Sequence, residues 1–158
     1  MPKIKGRHFA FASFTGPVKF VAMSFVILFF AIASPAQKIV TADQVNGTWR
    51  ENSSSAKGVT TEFWIWALGH QKLRVEFFGN NAAKGFSNTA VGTATIDGIE
   101  AIFKPDDQAS ETDPCVMTLQ FTAAKLIVTQ KGECGWGAGI GADGTYRKVS
   151  SSKPKFTQ

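Results

Sequence analysis

Few residues in this chain have the type and spacing to do chemistry. There are two histidines, His8 and His70, and two cysteines, Cys115 and Cys134. Nucleophilic or general-base catalysis needs a histidine on which a nucleophile and an acid converge. His8 lies in a basic N-terminal segment, and His70 stands in Gly69-His70-Gln71 with no nucleophile motif beside it. Asp106, Asp107, Glu111 and Asp113 form an acidic stretch, but their spacing is not that of an EF-hand loop, which reads as a solvated surface. No His or Cys cluster has zinc spacing. Gly139-Ile-Gly141-Ala-Asp-Gly144 satisfies G-x-G-x-x-G, whose nucleotide chemistry requires a helix immediately afterwards. The residues that follow, Thr145-Tyr-Arg-Lys-Val-Ser, are strand-like, so the run reads as a rim loop. No catalytic residue, metal site or cofactor is predicted, and the chain is expected not to be an enzyme.

What remains is binding and crosslinking. Trp64 and Trp66 share one face of a predicted strand whose other face carries Phe63 and Ile65. If the Phe63 face is core, two indoles face outward, where binding energy tends to concentrate. The alternative is that the tail or the long loops cover them locally. Trp136 sits in the glycine loop. Trp64, Trp66, His70 and Trp136 are the candidate binding residues.

The elements that position these residues are strands. Phe63, Ile65 and Ala67 alternate with polar or outward positions, as do Leu73, Val75 and Phe77. A hairpin across Gly69-His70-Gln71 pairs Phe63 with Phe77, Ile65 with Val75 and Ala67 with Leu73, giving one apolar face. Residues 79–88 read as a loop. Asp97-Gly98 then signals a type I′ turn, setting Ile96 beside Ile99 and Ala94 beside Ala101. A last hairpin, turning at Ala124-Lys125, places Cys115 opposite Cys134, with one mismatch at Leu119 and Gln130. The disulfide Cys115–Cys134 is expected to stabilise by roughly 3 kcal/mol for a loop of about 20 residues. No segment after residue 36 shows a 3.6-residue apolar period. Asn46-Gly-Thr-Trp-Arg50 near the start is echoed by Asp143-Gly-Thr-Tyr-Arg147 near the end. Eight short strands in sequential hairpins predict an all-β, small antiparallel meander barrel, in which the first and last strands pair.

Residues 1–36 are read as a secretory signal peptide. Lys3, Lys5, Arg7 and Lys19 precede an apolar run of 14 residues, Phe20 to Ala33, followed by Ser34-Pro35-Ala36. That run is short for a helical span, which takes roughly 20 residues. Removing the leader's four cations lowers Lys plus Arg from 17 to 13 against 12 acids, a net charge of +1. So balanced a surface excludes nucleic-acid binding, which requires concentrated cations. Residues 37–150 make one barrel domain and 151–158 a flexible tail, located in the periplasm or secreted, with no stable membrane span after cleavage.

Cys115, Cys134, Gly135, Gly137, Gly144, Tyr146 and Lys148 follow a Cys…Cys-Gly-x-Gly…Gly-x-Tyr-x-Lys ending that resembles small exported bacterial domains associated with lysozyme inhibition. Gly47-Thr48-Trp49 is similar to the G-x-W strand opening of lipocalin-like barrels. The resemblance implies an exported, non-enzymatic binding protein whose partner is an extracytoplasmic protein, with a lysozyme-type hydrolase as the sharpest candidate. The alternative is a carrier of a small apolar ligand in the barrel lumen.

Overall fold

The computed structural model describes residues 39–52, 58–107, 112–137 and 139–157. The expected leader lies outside them, as does Glu111. A one-turn helix, α1 (Ala42–Val45), precedes eight strands: β1 (Gly47–Glu51), β2 (Val59–Gly69), β3 (Lys72–Asn81), β4 (Phe86–Asp97), β5 (Glu100–Phe103), β6 (Val116–Phe121), β7 (Lys125–Lys131) and β8 (Gly144–Ser150). They form a closed antiparallel barrel in sequential order, β1 pairing with both β2 and β8.

The β2–β3 hairpin has the predicted register, with Phe63 opposite Phe77, Ile65 opposite Val75 and Ala67 opposite Leu73. This register puts all six apolar side chains on one face, and beyond Ala67 it shifts so that Gly69 pairs with Lys72, leaving the two residues His70-Gln71 as the turn rather than the three expected. Two other hairpins are shifted by two residues from the expected pairing. In β4–β5, Ala94 faces Phe103 and Ile96 faces Ala101. The turn centres on Gly98-Ile99 rather than Asp97-Gly98, because only Gly98 adopts positive φ (59°), as a II′-like turn requires at its first central residue. In β6–β7, Leu119 faces Val128 and Phe121 faces Leu126, so the expected mismatch of Leu119 with Gln130 passes to Met117, which faces Gln130 instead. Thr122 sets that turn: its amide donates to the Lys125 carbonyl (2.8 Å), and its hydroxyl accepts from the Lys125 amide (3.1 Å). A two-residue shift preserves which face each side chain occupies, so the core survives both errors.

The expected loop over 79–88 shrinks to the turn Ala82–Gly85, since pairing with β3 draws Phe86–Val91 into β4 despite its polar composition. The helix α1 was not expected. Its signal is Thr41-Ala-Asp-Gln44, a capping box in which the Thr41 amide donates to Gln44 Oε1 (2.8 Å).

Trp49, Phe63, Phe77, Phe103, Phe121 and Tyr146 fill the interior, with Ile65, Leu73, Met117, Leu119 and Leu126 between them. Phe63 meets both Phe77 and Tyr146 at centroid separations of 5.0 Å. Cys115 and Cys134 are joined, with Cα atoms 4.8 Å apart, just beyond the ends of β6 and β7.

The two echoed pentapeptides occupy equivalent positions at opposite ends of the barrel. Trp49 Nε1 donates to the carbonyl of Val45, four residues back (3.0 Å), and the Tyr146 hydroxyl to that of Ala142, also four back (2.8 Å). Asn46 Oδ1 accepts from the Ala67 amide (2.6 Å), and Asp143 Oδ1 from the Gln130 amide (2.7 Å). Each motif thus buries one amphipathic aromatic, satisfies its polar tip locally and caps the neighbouring strand with an Asx oxygen.

Candidate functional site

The chain's direction through the barrel sorts its loops into two ends. One carries α1 and the β2–β3, β4–β5 and β6–β7 turns, and the other carries the disulfide and the glycine loop.

At the α1 end the structure opens into a cavity of about 360 Å³, bounded by Val45, Ala67, Leu73 and Ile96 with Gln71 and Lys72 at its polar edge. Ile39 (77 % exposed) also borders it, and Leu68 (56 % exposed) adjoins its lining residues Ala67 and Gly69. The helix α1 beside it is tied to β8 by Lys148, whose ammonium donates to the carbonyls of Asp43 (2.6 Å) and Gln44 (2.8 Å) and stands 4.8 Å from the centroid of the Trp49 ring. Burial pushes the Lys148 pKa down, and the nearby charge of Asp43 opposes that shift.

His70 is exposed at the lip of this cavity, between the lining residues Gly69 and Gln71. It adopts φ 50° and Gln71 φ 58°, so both turn residues are in the left-handed region. Among the described residues, no group of three or more His, Cys, Asp or Glu side chains could hold a metal ion.

Trp136, the candidate binding residue of the glycine loop, is buried at 4 % exposure, so its indole is not presented to a partner. It stacks on Phe77 at 4.3 Å and stoppers the disulfide end of the barrel. The reason is its apolar area: the irregular chain after Cys134 can fold a large indole back onto the open end of the core, where solvent would otherwise reach Phe77. Its Nε1 has no hydrogen-bond partner among the described residues. Outside it is a shallow cleft of about 460 Å³, bordered by Gln130, Glu133, Gly135 and Ile140. The glycine run leads into β8, a strand.

Trp64 and Trp66 lie on the outer face, as their parity requires, and are half-buried. Trp64 Nε1 donates to Glu62 Oε2 (3.1 Å), and the Lys153 ammonium stands 5.7 Å from the Trp66 ring. Where the sequence predicts a flexible tail over 151–158, residues up to Thr157 lie along this face and cover it, the local covering left open as an alternative above. The interior aromatics, Trp136 among them, pack into a continuous core, and the cavity of ligand size lies at the barrel mouth with largely aliphatic walls.

Comparison of the chain with family models, with curated proteins and with solved structures gave no match.

Proposed function

We propose that this chain is an exported, non-enzymatic binding protein whose working surface is the α1 end of the barrel. The cavity there carries the reading. An aliphatic hollow of about 360 Å³ beside exposed Ile39 and Leu68 is the form of surface that accepts an apolar anchor from another protein. The His70–Gln71 turn and Lys72 supply a polar border that orients what enters. The disulfide agrees with an extracytoplasmic place of action, since such bonds persist in oxidising compartments.

A lysozyme-type hydrolase is the partner to test first, on the likeness of the chain's ending. Pull-down and inhibition assays with c-, g- and i-type lysozymes at micromolar concentration are expected to find binding to one of them, weakened at least tenfold by Leu68→Glu. Both flanking residues are exposed, so that substitution leaves the core untouched. Binding to none of the three removes the lysozyme-type partner. Unchanged affinity in Leu68→Glu moves the surface elsewhere.

The cavity's volume supports a second reading, a small apolar ligand held at the barrel mouth, since it falls within the range of about 300–1,000 Å³ typical of ligand sites. Native mass spectrometry of the exported protein distinguishes the two readings. A co-purifying apolar compound favours the carrier.

A further inference from the structure

Strand alternation makes Trp64, Trp66, Arg74 and Glu76 neighbours on the outside of the barrel. Trp64 lies opposite Glu76 and Trp66 opposite Arg74 across the β2–β3 ladder. An outer-face glutamate in a small barrel is ordinarily solvated, yet Glu76 is only 2 % exposed. The C-terminal segment lies against it. The Thr157 amide donates to Glu76 Oε2 (2.9 Å) and the Thr157 hydroxyl to Oε1 (2.7 Å), so both carboxylate oxygens are met by one residue. Arg74 completes the grip: its Nη2 donates to the Thr157 carbonyl (3.1 Å), and its guanidinium stands 5.1 Å from the centroid of the Phe156 ring. Four residues back along the chain, the Lys153 ammonium is directed at the Trp66 ring.

These contacts read chemistry, not just shape. The carboxylate demands two donors from one residue, which a backbone amide and a hydroxyl supply together. The guanidinium takes an aromatic ring and a carbonyl, and the indole takes a cation. The arrangement matches an extended Lys-x-x-Phe-Thr segment. A buried carboxylate with no matched donors is costly, so the face discriminates against segments lacking the hydroxyl.

We propose that the outer face of β2 and β3 is a peptide-docking site, formed by Trp66, Arg74 and Glu76, which this chain fills in cis with Lys153–Thr157. A partner protein presenting an extended segment of the same chemistry, a cation followed by an aromatic–hydroxyl pair, docks there by displacing the tail. The tether raises the threshold for such a partner, because a short linker gives the tail an effective concentration on the order of millimolar. The site is separate from the α1-end cavity and does not depend on that cavity's role.

The test uses the full chain and a labelled peptide with the sequence of residues 151–158. In the Phe156→Ala/Thr157→Ala chain, whose substitutions lie in the tail, the peptide is expected to bind saturably, and at least tenfold more tightly than it binds the unsubstituted chain. Adding Glu76→Gln to that background is expected to weaken it at least tenfold. A peptide that binds the opened chain no better than the original, or that ignores Glu76→Gln, overturns the proposal. Amide exchange on the unsubstituted chain gives a second readout. Protection of the Thr157 amide that disappears in Glu76→Gln supports the site, and a Thr157 amide exchanging at the free-peptide rate overturns it.

Discussion

Tyr146 is the chain's single tyrosine, and it lies fully buried in the core. Burial raises its pKa well above the ordinary phenol range, and the charges of Glu51 and Asp143 push in the same direction, against a hydrogen bond from Thr61. A group whose folded pKa is raised stabilises the fold fully below its unfolded value and loses that contribution as pH climbs. Stability should therefore fall above about pH 10, where an unfolded tyrosine ionises. Because no other tyrosine contributes, the phenolate difference spectrum, read against the tryptophan background, reports the ionisation of this residue. The phenolate band is expected to appear together with unfolding, and a reversible band near pH 10 in the folded protein would contradict the assignment. Tyr146→Phe should blunt the alkaline sensitivity at a cost of about 1 kcal/mol for the lost hydrogen bond. Residue placement was legible where a strand period existed: the parity of Phe63 and Trp64 sends one inward and the other out. Trp136 has no period around it, so its inward fold onto Phe77 could not be read from its neighbours in sequence.

Elements were legible as apolar runs, and their registers depended on turn chemistry. The β2–β3 hairpin is well specified by its apolar faces, although its turn residues are poorly suited to their conformation. His70 and Gln71 both hold positive φ, a region that asparagine and glycine occupy with less strain. Replacing the pair with Asn-Gly is expected to raise the unfolding free energy by about 1 kcal/mol, seen as a higher urea midpoint at unchanged m-value. A lower midpoint would show that the His70 or Gln71 side chain supplies contacts outweighing the backbone strain. The β4–β5 and β6–β7 turns were misplaced by two residues. Asp97-Gly98 satisfies two turn types equally well in sequence, and the hydroxyl of Thr122 acts only once Lys125 is brought opposite it. The tail carries no period at all, and the site it occupies is built by two strands more than 70 residues earlier in the chain.

At the scale of the molecule, closure is the decisive event, and it is made where β1 meets β8. Gly47 has φ 126°, and a Cβ there would collide with the Ser150 carbonyl. Gly47→Ala is expected to destabilise by about 2–4 kcal/mol through strain and displacement of β8, measured by denaturant unfolding. A loss under about 0.5 kcal/mol would mean that the barrel seam can shift without cost. Closure also aligns Arg50 with Arg147, a like-charge pair that Arg50 relieves by bonding Glu62 at 2.7 Å. By itself the sequence determined the class of fold, the strand order, the disulfide and the inward faces of β2, β3, β6 and β7, because alternation and turn residues are local signals. Only the tertiary structure decided which aromatics stay accessible, where the cavity opens and what covers Trp64 and Trp66. Those outcomes depend on segments without periodicity, the glycine loop, the residues before β1 and the tail, whose positions are chosen by the apolar and charged surfaces that the finished barrel presents to them.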